Sequence, residues 1–181
     1  YSDLTSILNG IYSKTGNPGV LYQLRNLIGV CGQEQRRAFY QMLEQDGDDL
    51  FRFPYRFIQG TEMEGIVIGG NIRCLLKLAG TDYFPDCHDR ILLLESLSGG
   101  MSRITAYFSQ LQQMGVFERC AGILLGTFTQ LEKENGIDAA PILLQRFVRS
   151  DLPIAKTQQI GHGVDSKAIM IGRSKCLSVQ K

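Results

Sequence analysis

Residues 91–95 read Ile91-Leu92-Leu93-Leu94-Glu95, and this stretch is the strongest indication of the chain's architecture. A short, unbroken apolar run of this kind is typical of a strand that is buried on both faces of a parallel sheet. Similar runs occupy residues 66–68 and 122–126, and a helical stripe at residues 102–114 separates two of the three runs. Because short apolar strands that alternate with helices form parallel sheets, the sequence predicts an α/β fold with a largely parallel sheet and flanking helices.

The remaining elements follow from the same two periodicities. Apolar residues from Leu4 onward repeat at helical spacing until Gly16, and a second helical pattern covers residues 33–45 before residues 46–49 end it. Aromatic alternation over residues 51–57 predicts a strand, which the proline within it restricts to a sheet edge or an irregular strand. The other predicted elements are a short helix through Leu75 and Leu78, a helix at residues 139–149, and strands near residues 153–157 and 168–172.

The composition limits the classes of partner. Of 181 residues, 44% are hydrophobic, which is enough for one sizeable core. Nineteen Lys and Arg against eighteen Asp and Glu leave a net charge of +1, so no strong long-range field favours nucleic acid or an anionic membrane. No apolar run approaches the roughly 20 residues that a membrane-spanning helix needs. We therefore expect a small, fairly neutral partner, with no nucleic acid and no membrane.

The five cysteines favour a reducing compartment. They are odd in number and scattered, and their spacing is that of neither a thiolate metal site nor a redox dithiol. The adjacent residues Cys87-His88-Asp89 lack further spaced ligands, so we interpret them as a surface loop and not as a metal site.

Three segments carry polar residues where predicted strands end. Asn71 follows Gly69-Gly70, Glu95 ends the central apolar run, and His162 stands between two glycines. Because ligand sites in open α/β sheets gather beyond the carboxyl ends of the strands, all three segments are candidates for a site. Two structural alternatives stay open: an exposed loop histidine for His162, and an ion pair with an arginine such as Arg103 for Glu95.

Ser2 lies directly before the first predicted helix, where a serine often serves as the N-cap. The same location also suits a nucleophile. A serine on a sharp turn into a helix presents its hydroxyl at the sheet edge, and the next backbone N–H and the helix dipole favour a developing oxyanion. The local sequence leaves both roles open.

Five segments, taken together and in order, resemble the LD-carboxypeptidases, a family that also includes the microcin-immunity hydrolases. They are YSDLT at residues 1–5, EGIVIGGN at 64–71 with GTDYFPD at 80–86, ILLLE at 91–95, GILLGTF at 122–128 and GHG at 161–163. The resemblance runs over essentially the whole chain, and the combination is far more specific than any single segment.

The resemblance implies a Ser-Glu-His triad, with spacings of 95 − 2 = 93 and 162 − 95 = 67 residues that are similar to those of the family. Ser2 resembles the nucleophile, His162 the general base, and Glu95 the carboxylate that fixes the imidazole tautomer. Asp3 resembles the residue whose backbone N–H supplies half of the oxyanion hole. The residues that resemble the family's substrate-cleft segment are Gly69, Gly70 and Asn71.

The family's activity is hydrolysis of the amide between the L-centre of a diamino acid and a terminal D-alanine in murein tetrapeptides. For this chain the resemblance therefore implies a cytoplasmic serine carboxypeptidase of cell-wall recycling, with a small peptide substrate. It also implies no metal, no organic cofactor, and a homodimer. Arg25 and Arg173 are both candidates to bind the substrate's terminal carboxylate, and their spacing does not select between them.

The chain departs from the family in what precedes Ser2. Family members carry an N-terminal Rossmann-like lobe, whose glycine-rich turn completes the oxyanion hole, and the 181 residues do not include it. We therefore expect residues 1–181 to be the LD-carboxypeptidase-like catalytic region of a longer or cleaved protein whose upstream lobe lies elsewhere. Within it, residues 1–60 form the nucleophile helix and connecting region, and residues 61–181 form the C-terminal α/β lobe.

Two other functions stay open. One is an amidase of the microcin-immunity kind, which uses the same triad on a peptide-nucleotide or aminoacyl conjugate. The other is a fragment that is not catalytic by itself and serves as a binding or dimerisation lobe. The segment at residues 20–25 also lacks the His-Gly-Pro that the family pattern leads one to expect near there, which makes the substrate less certain than the reaction type.

Overall fold

The computed structural model describes residues 1–45 and 47–179. The helices are α1 (Leu4–Thr15), α2 (Gly32–Glu44), α3 (Ile72–Leu76), α4 (Met101–Gln113), α5 (Val116–Arg119), α6 (Thr129–Asn135) and α7 (Ala139–Leu144). The strands are β1 (Gly19–Leu21), β2 (Arg56–Gln59), β3 (Glu62–Asn71), β4 (Arg90–Ser96), β5 (Gly122–Phe128), β6 (Ile154–Lys156), β7 (Ile169–Ile171) and β8 (Ser174–Ser178). Two short 3-10 helices cover Leu24–Ile28 and Asp49–Phe51.

The main sheet has six strands in the order β2-β6-β5-β4-β3-β8. The four central strands run parallel to one another, whereas the edge strands β2 and β8 are antiparallel to their neighbours. Strands β1 and β7 form a separate antiparallel pair. The predicted α/β fold with a largely parallel sheet and flanking helices is confirmed.

Strand β4 lies at the centre of the sheet and is buried on both faces. Its side chains alternate: Leu92 and Leu94 belong to the core that α4, α5 and α7 cover, and Ile91 and Leu93 to the core that α1, β1 and β7 cover. All four are fully buried, and each contributes about 1.5–3 kcal/mol by leaving water. The unbroken apolar run is therefore the consequence of having helices or strands packed on both faces of the sheet.

Strand β3 is longer than its apolar run predicts. It begins at Glu62 and continues through Gly69 and Gly70 to Asn71, where the sequence indicates a loop. The ladder to β4 holds these residues, with Gly69 paired to Leu93 and Asn71 to Glu95. Because a backbone ladder needs no side chain, glycines can extend a strand that hydrophobic periodicity ends too early.

The aromatic stretch at residues 51–57 is only partly a strand. Strand β2 begins at Arg56 and lies at the sheet edge, as its proline predicts, while the upstream rings of Phe53 and Tyr55 pack edge to face. The predicted helix at residues 33–45 corresponds to α2, and residue 46 of its predicted end lies outside the described residues.

No helix within the described residues is both long enough and apolar enough to cross a membrane. The boundary between residues 1–60 and 61–181 stays a prediction.

Candidate active site

Three chain segments that are remote in sequence meet at the carboxyl end of the parallel strands. Ser2 precedes α1, Glu95 lies near the end of β4, and His162 lies in the loop after β6. The Oγ atom of Ser2 is 3.3 Å from Nε2 of His162, and Nδ1 of His162 is 2.8 Å from Oε2 of Glu95. The structure therefore brings all three sequence-predicted residues into one hydrogen-bonded series.

The chemistry of the carboxylate sets the direction of this series. A carboxylate only accepts hydrogen bonds, so Nδ1 of His162 donates to Glu95 and Nε2 is left to accept the hydroxyl proton of Ser2. The second oxygen of Glu95, Oε1, accepts from Nδ2 of Asn71 at 2.9 Å. Glu95 is fully buried, and the His162 side chain is 7% exposed. Both oxygens of the buried carboxylate are therefore paired, as burial requires.

Ser2 is not the N-cap of α1. That position belongs to Asp3, and the hydroxyl of Ser2 faces His162 instead. The backbone of Ser2 has φ of 36°, in the left-handed region that residues other than glycine rarely occupy. A backbone held there costs about 1–3 kcal/mol and occurs mostly at functional positions. Of the two roles that the local sequence leaves open, the geometry therefore favours presentation of the hydroxyl.

Helix α1 is fixed to the end of β3 by two buried polar side chains. Oγ1 of Thr5 accepts the N–H of Asn71 at 2.9 Å. The Asn9 amide pairs with both backbone groups of Gly69, accepting its N–H at 2.8 Å and donating to its C=O at 2.9 Å. A Cβ on Gly70 would lie 2.6 Å from Oγ1 of Thr5, so only glycine admits the helix here.

Gly69 and Gly70 are thus covered by α1, and Asn71 orients Glu95. Their contact with a substrate stays a prediction. Thr5 and Asn9 were not among the sequence-predicted site residues. The signal that could have found them is a pair of polar residues, four positions apart, on the apolar face of a helix.

His162 reaches Glu95 because its loop crosses closely over the end of β5. The backbone N–H of Thr127 donates to the carbonyl of Ile160 at 2.8 Å. A Cβ on Gly126 would lie 2.4 Å from that carbonyl oxygen and 3.0 Å from Cβ of Glu95. The glycine of the GILLGTF segment is therefore needed for the approach of the histidine loop to the carboxylate.

Asp3 has its side chain engaged away from the series. Its Oδ1 accepts from Nζ of Lys77 at 2.8 Å, and this hydrogen bond lowers the pKa of the exposed Asp3 carboxyl. The predicted role of Asp3 involves its backbone N–H, which lies at the N-terminal end of α1, where the helix dipole favours negative charge. Neutralising the side chain with Lys77 keeps a second negative charge from opposing an oxyanion there.

Two further groups surround His162. The ring centroid of Tyr1 lies 5.8 Å from that of His162, and the Tyr1 hydroxyl donates to the carbonyl of Lys167. Burial, reinforced by the charge of Glu95, raises the pKa of this phenol, so the phenol stays neutral at physiological pH. Nη2 of Arg25 donates to the backbone carbonyl of His162 at 3.3 Å.

The arginine alternatives from the sequence resolve differently. Arg103 is exposed, with its stem beside Gly99, and the recorded partners of Glu95 are Asn71 and His162. Arg173 lies before β8, and its carbonyl accepts the N–H of Val67 in the body of the sheet. Of these three arginines, only Arg25 has a recorded contact with the Ser2–His162–Glu95 series.

Comparison with known proteins gives matches of one kind. The model of the LD-carboxypeptidase C-terminal domain matches residues 64–177. YocD of Bacillus subtilis, provisionally named a carboxypeptidase, is 29% identical over 190 residues, which cover 90% of this chain and 58% of YocD. A second Bacillus subtilis protein, named "probable murein peptide carboxypeptidase", is 25% identical and covers 98% of this chain and 58% of its own length.

The microcin C7 self-immunity protein of Escherichia coli is 27% identical over 158 residues, which cover 70% of this chain and 46% of that protein. A solved structure of microcin C7 self-immunity protein has a TM-score of 0.81 at 19% identity, covering 99% of this chain and 66% of that one. Another holds glutamyl sulfamoyl guanosine.

The chain spans little more than half the length of the curated relatives that it matches. The match to the family model nevertheless extends over more than half of the chain, and it includes the strands that carry Asn71 and Glu95 and the loop that carries His162. The chain therefore belongs to the LD-carboxypeptidase family.

Proposed function

We propose that Ser2, His162 and Glu95 are the catalytic triad of a serine-type LD-carboxypeptidase that releases the terminal D-alanine from murein tetrapeptides. The observation that carries this proposal is the continuous series of hydrogen bonds from the Ser2 hydroxyl through the imidazole to the buried carboxylate. Membership of the family narrows the reaction to hydrolysis of an amide next to a terminal carboxylate.

Acylation follows from the direction of the series. Nε2 of His162 takes the hydroxyl proton as Oγ of Ser2 attacks the carbonyl carbon of the scissile amide. The imidazolium that forms is stabilised by Glu95, which keeps Nδ1 as the donor. His162 then delivers the proton to the leaving nitrogen, the C–N bond breaks, and free D-alanine departs from the acylated serine.

Deacylation repeats the proton transfers with water as the nucleophile. In both halves the carbonyl oxygen gains negative charge, and the N–H of Asp3 at the start of α1 is the proposed donor to it from this chain. Gly69, Gly70 and Asn71 remain the proposed substrate-cleft segment. The family's second oxyanion donor, in an upstream glycine-rich turn, belongs to the same proposal.

The cellular setting is also part of the proposal. It consists of murein recycling in the cytoplasm by a homodimer that needs neither a metal nor an organic cofactor. The exposed apolar side chains of Ile7 and Ile11 on α1 are of the kind that a subunit or lobe interface covers. Analytical ultracentrifugation of the full-length protein distinguishes a dimer from a monomer.

A second candidate substrate is an aminoacyl or peptide-nucleotide conjugate. It is supported by the microcin self-immunity protein, which resembles this chain in sequence and fold and is solved with an aminoacyl sulfamoyl nucleoside bound. The same triad would cleave the acyl bond of such a conjugate, so the two candidates differ in the pocket and not in the chemistry.

Product analysis separates the candidates. We expect the full-length protein to release D-alanine from murein tetrapeptide, and to leave intact a matched tetrapeptide that ends in L-alanine. Chromatography of the amino acid released from each peptide, and from glutamyl sulfamoyl adenosine, is the measurement. Cleavage of the conjugate alone would assign the microcin-type activity, and cleavage of none of these substrates by the folded protein would refute both candidates.

Arg25 is the best-placed cation for the substrate's carboxylate. A carboxypeptidase substrate carries its free carboxylate on the leaving residue, a few bonds from the attacked carbonyl. The guanidinium of Arg25 lies against the backbone of His162 and has five N–H donors, of which the structure records one in use. The carbonyl of Arg173 pairs instead with Val67, four residues before Asn71 on β3, which is about 13 Å from the end of that strand.

We expect Arg25→Gln to raise KM for the tetrapeptide by roughly 10- to 100-fold, because a charge-assisted hydrogen bond is lost. The change in kcat should be much smaller, since the triad is untouched. Arg173→Gln is the matched control and should leave KM unchanged. Steady-state kinetics on both variants decide the point, and an unaltered KM in Arg25→Gln would remove this residue from carboxylate binding.

A further inference from the structure

The loop that carries His162 has no regular structure of its own. Residues 157–168 contain neither helix nor strand. On the side of the sheet, the carbonyl of Ile160 is held by the N–H of Thr127. On the opposite side, the loop packs against the segment at residues 22–26, whose side chains are more than 130 residues away in the sequence. The position of the imidazole therefore depends on contacts from outside the loop.

Gln23 supplies the most direct of these contacts. Its Nε2 donates to the carbonyls of Gly161 at 3.0 Å and Gly163 at 3.2 Å, which are the peptide groups on either side of His162. It also lies 3.1 Å from Oγ of Ser166. Gln23 is 7% exposed, so these bonds form out of water and would leave buried carbonyls unpaired if the amide were removed.

Asn26 reinforces the same contacts. Its Nδ2 donates to the carbonyl of Gly163 at 3.1 Å and to Oγ of Ser166 at 3.0 Å. Gln23 and Asn26 bracket the start of a 3-10 helix, in which residues three apart stand above one another, so both amides face the loop. The carbonyl of Ser166 is in turn held by Nε2 of Gln35 at 3.4 Å.

We propose that Gln23, supported by Asn26, is a positioning residue that holds the His162 loop so that the imidazole lies between Ser2 and Glu95. We call the two side chains the amide clamp. The clamp touches no reacting atom; it acts through the backbone on both sides of His162. This inference rests on the proposed function for its kinetic consequence, but its structural consequence is independent of any substrate.

Gln23→Met in the full-length protein tests the clamp, because methionine keeps the length of the side chain and removes the donor. We expect kcat for murein tetrapeptide to fall about 10- to 100-fold, which is the effect of an ångström-scale misplacement of a catalytic group. KM should stay within about twofold, since the loop backbone and not the substrate loses its partner.

Gln59→Met is the matched control. The Gln59 amide also donates to two carbonyls, those of Arg149 at 3.0 Å and Leu152 at 2.7 Å, but it lies at the amino end of the parallel strands. Loss of stability alone would affect both variants, whereas a positioning role lowers kcat only in Gln23→Met.

Nitrogen-15 NMR of the imidazoles gives a readout that needs no substrate. The chain has two histidines, and the exposed His88 serves as an internal reference. We expect a single Nδ1–H tautomer for His162 in the wild type and an averaged or broadened signal in Gln23→Met, with His88 unchanged. If this shift occurs but the wild type cleaves no tetrapeptide, the clamp stands and the proposed substrate fails.

Should Gln23→Met not fold, Asn26→Ser decides instead, because it leaves the two flanking carbonyl bonds of Gln23 in place. We expect a smaller loss in kcat and a partial change in the His162 signal. For the variant that decides, a wild-type kcat together with an unchanged His162 spectrum overturns the proposal.

Discussion

Ser2→Ala is expected to abolish turnover of the tetrapeptide, with kcat reduced by up to about a million-fold, which is the usual cost of removing a serine nucleophile. The fold should remain intact, because the recorded side-chain hydrogen bond of Ser2 is the one to His162. Steady-state kinetics measure the loss, and circular dichroism during thermal unfolding checks the fold.

Ser13→Ala is the matched control for this change. It removes a hydroxyl from the same helix, where Oγ of Ser13 donates to the carbonyl of Asn9 at 2.8 Å, and it should leave kcat unaltered. Wild-type turnover in the Ser2→Ala protein would exclude the serine from the mechanism.

Glu95→Gln is expected to lower kcat by about 10⁴-fold without loss of the fold. The amide oxygen of the new glutamine would accept from Nδ2 of Asn71, where Oε1 of Glu95 accepts now at 2.9 Å. Its NH₂ group would then face Nδ1 of His162 and make that nitrogen the acceptor. Nε2 would carry the proton, and the imidazole could no longer accept the hydroxyl proton of Ser2.

Kinetics and imidazole NMR together measure this effect. We expect the His162 tautomer to change from Nδ1–H to Nε2–H as kcat falls. Glu64→Gln makes the same substitution at an exposed position of β3 and should change neither quantity. A Glu95→Gln enzyme that keeps kcat within about tenfold, or keeps the original tautomer, would contradict the orienting role.

The core strands and the residues of the series could be predicted from the sequence because each leaves a local signal. The run at residues 91–94 is apolar at every position since both faces of β4 are covered. Glu95 stands out because a carboxylate continues that run, and His162 because glycines flank it. The order of the family segments then supplies the association of these residues with Ser2.

Other elements leave no such signal. Helix α6 buries Leu131 alone among its described side chains, and β8 buries only Leu177, so neither produces a periodic apolar pattern. The contacts that build the site are also long-range: Asn9 pairs with a residue 60 positions away, and Gln23 with one 138 positions away. Such pairings depend on tertiary packing and cannot be read from a single sequence.

The strained backbone of Ser2 illustrates the same division. Its position before a helix is visible in the sequence and fits an N-cap as well as a nucleophile. Its φ of 36° and its contact with His162 arise only after α1 is fixed to β3 through Thr5 and Asn9. The choice between the two roles therefore depends on buried amide and hydroxyl groups that lie away from the reacting atoms.

Covalent labelling of the nucleophile provides the sharpest test of the triad. The full-length protein would be treated with a fluorophosphonate, which reacts with serines that a histidine activates, and the modified residue located by peptide mass spectrometry. We expect one adduct, on Ser2, that is absent from Ser2→Ala and forms far more slowly in Glu95→Gln. An unlabelled Ser2 in protein that still cleaves the tetrapeptide would contradict the proposed mechanism.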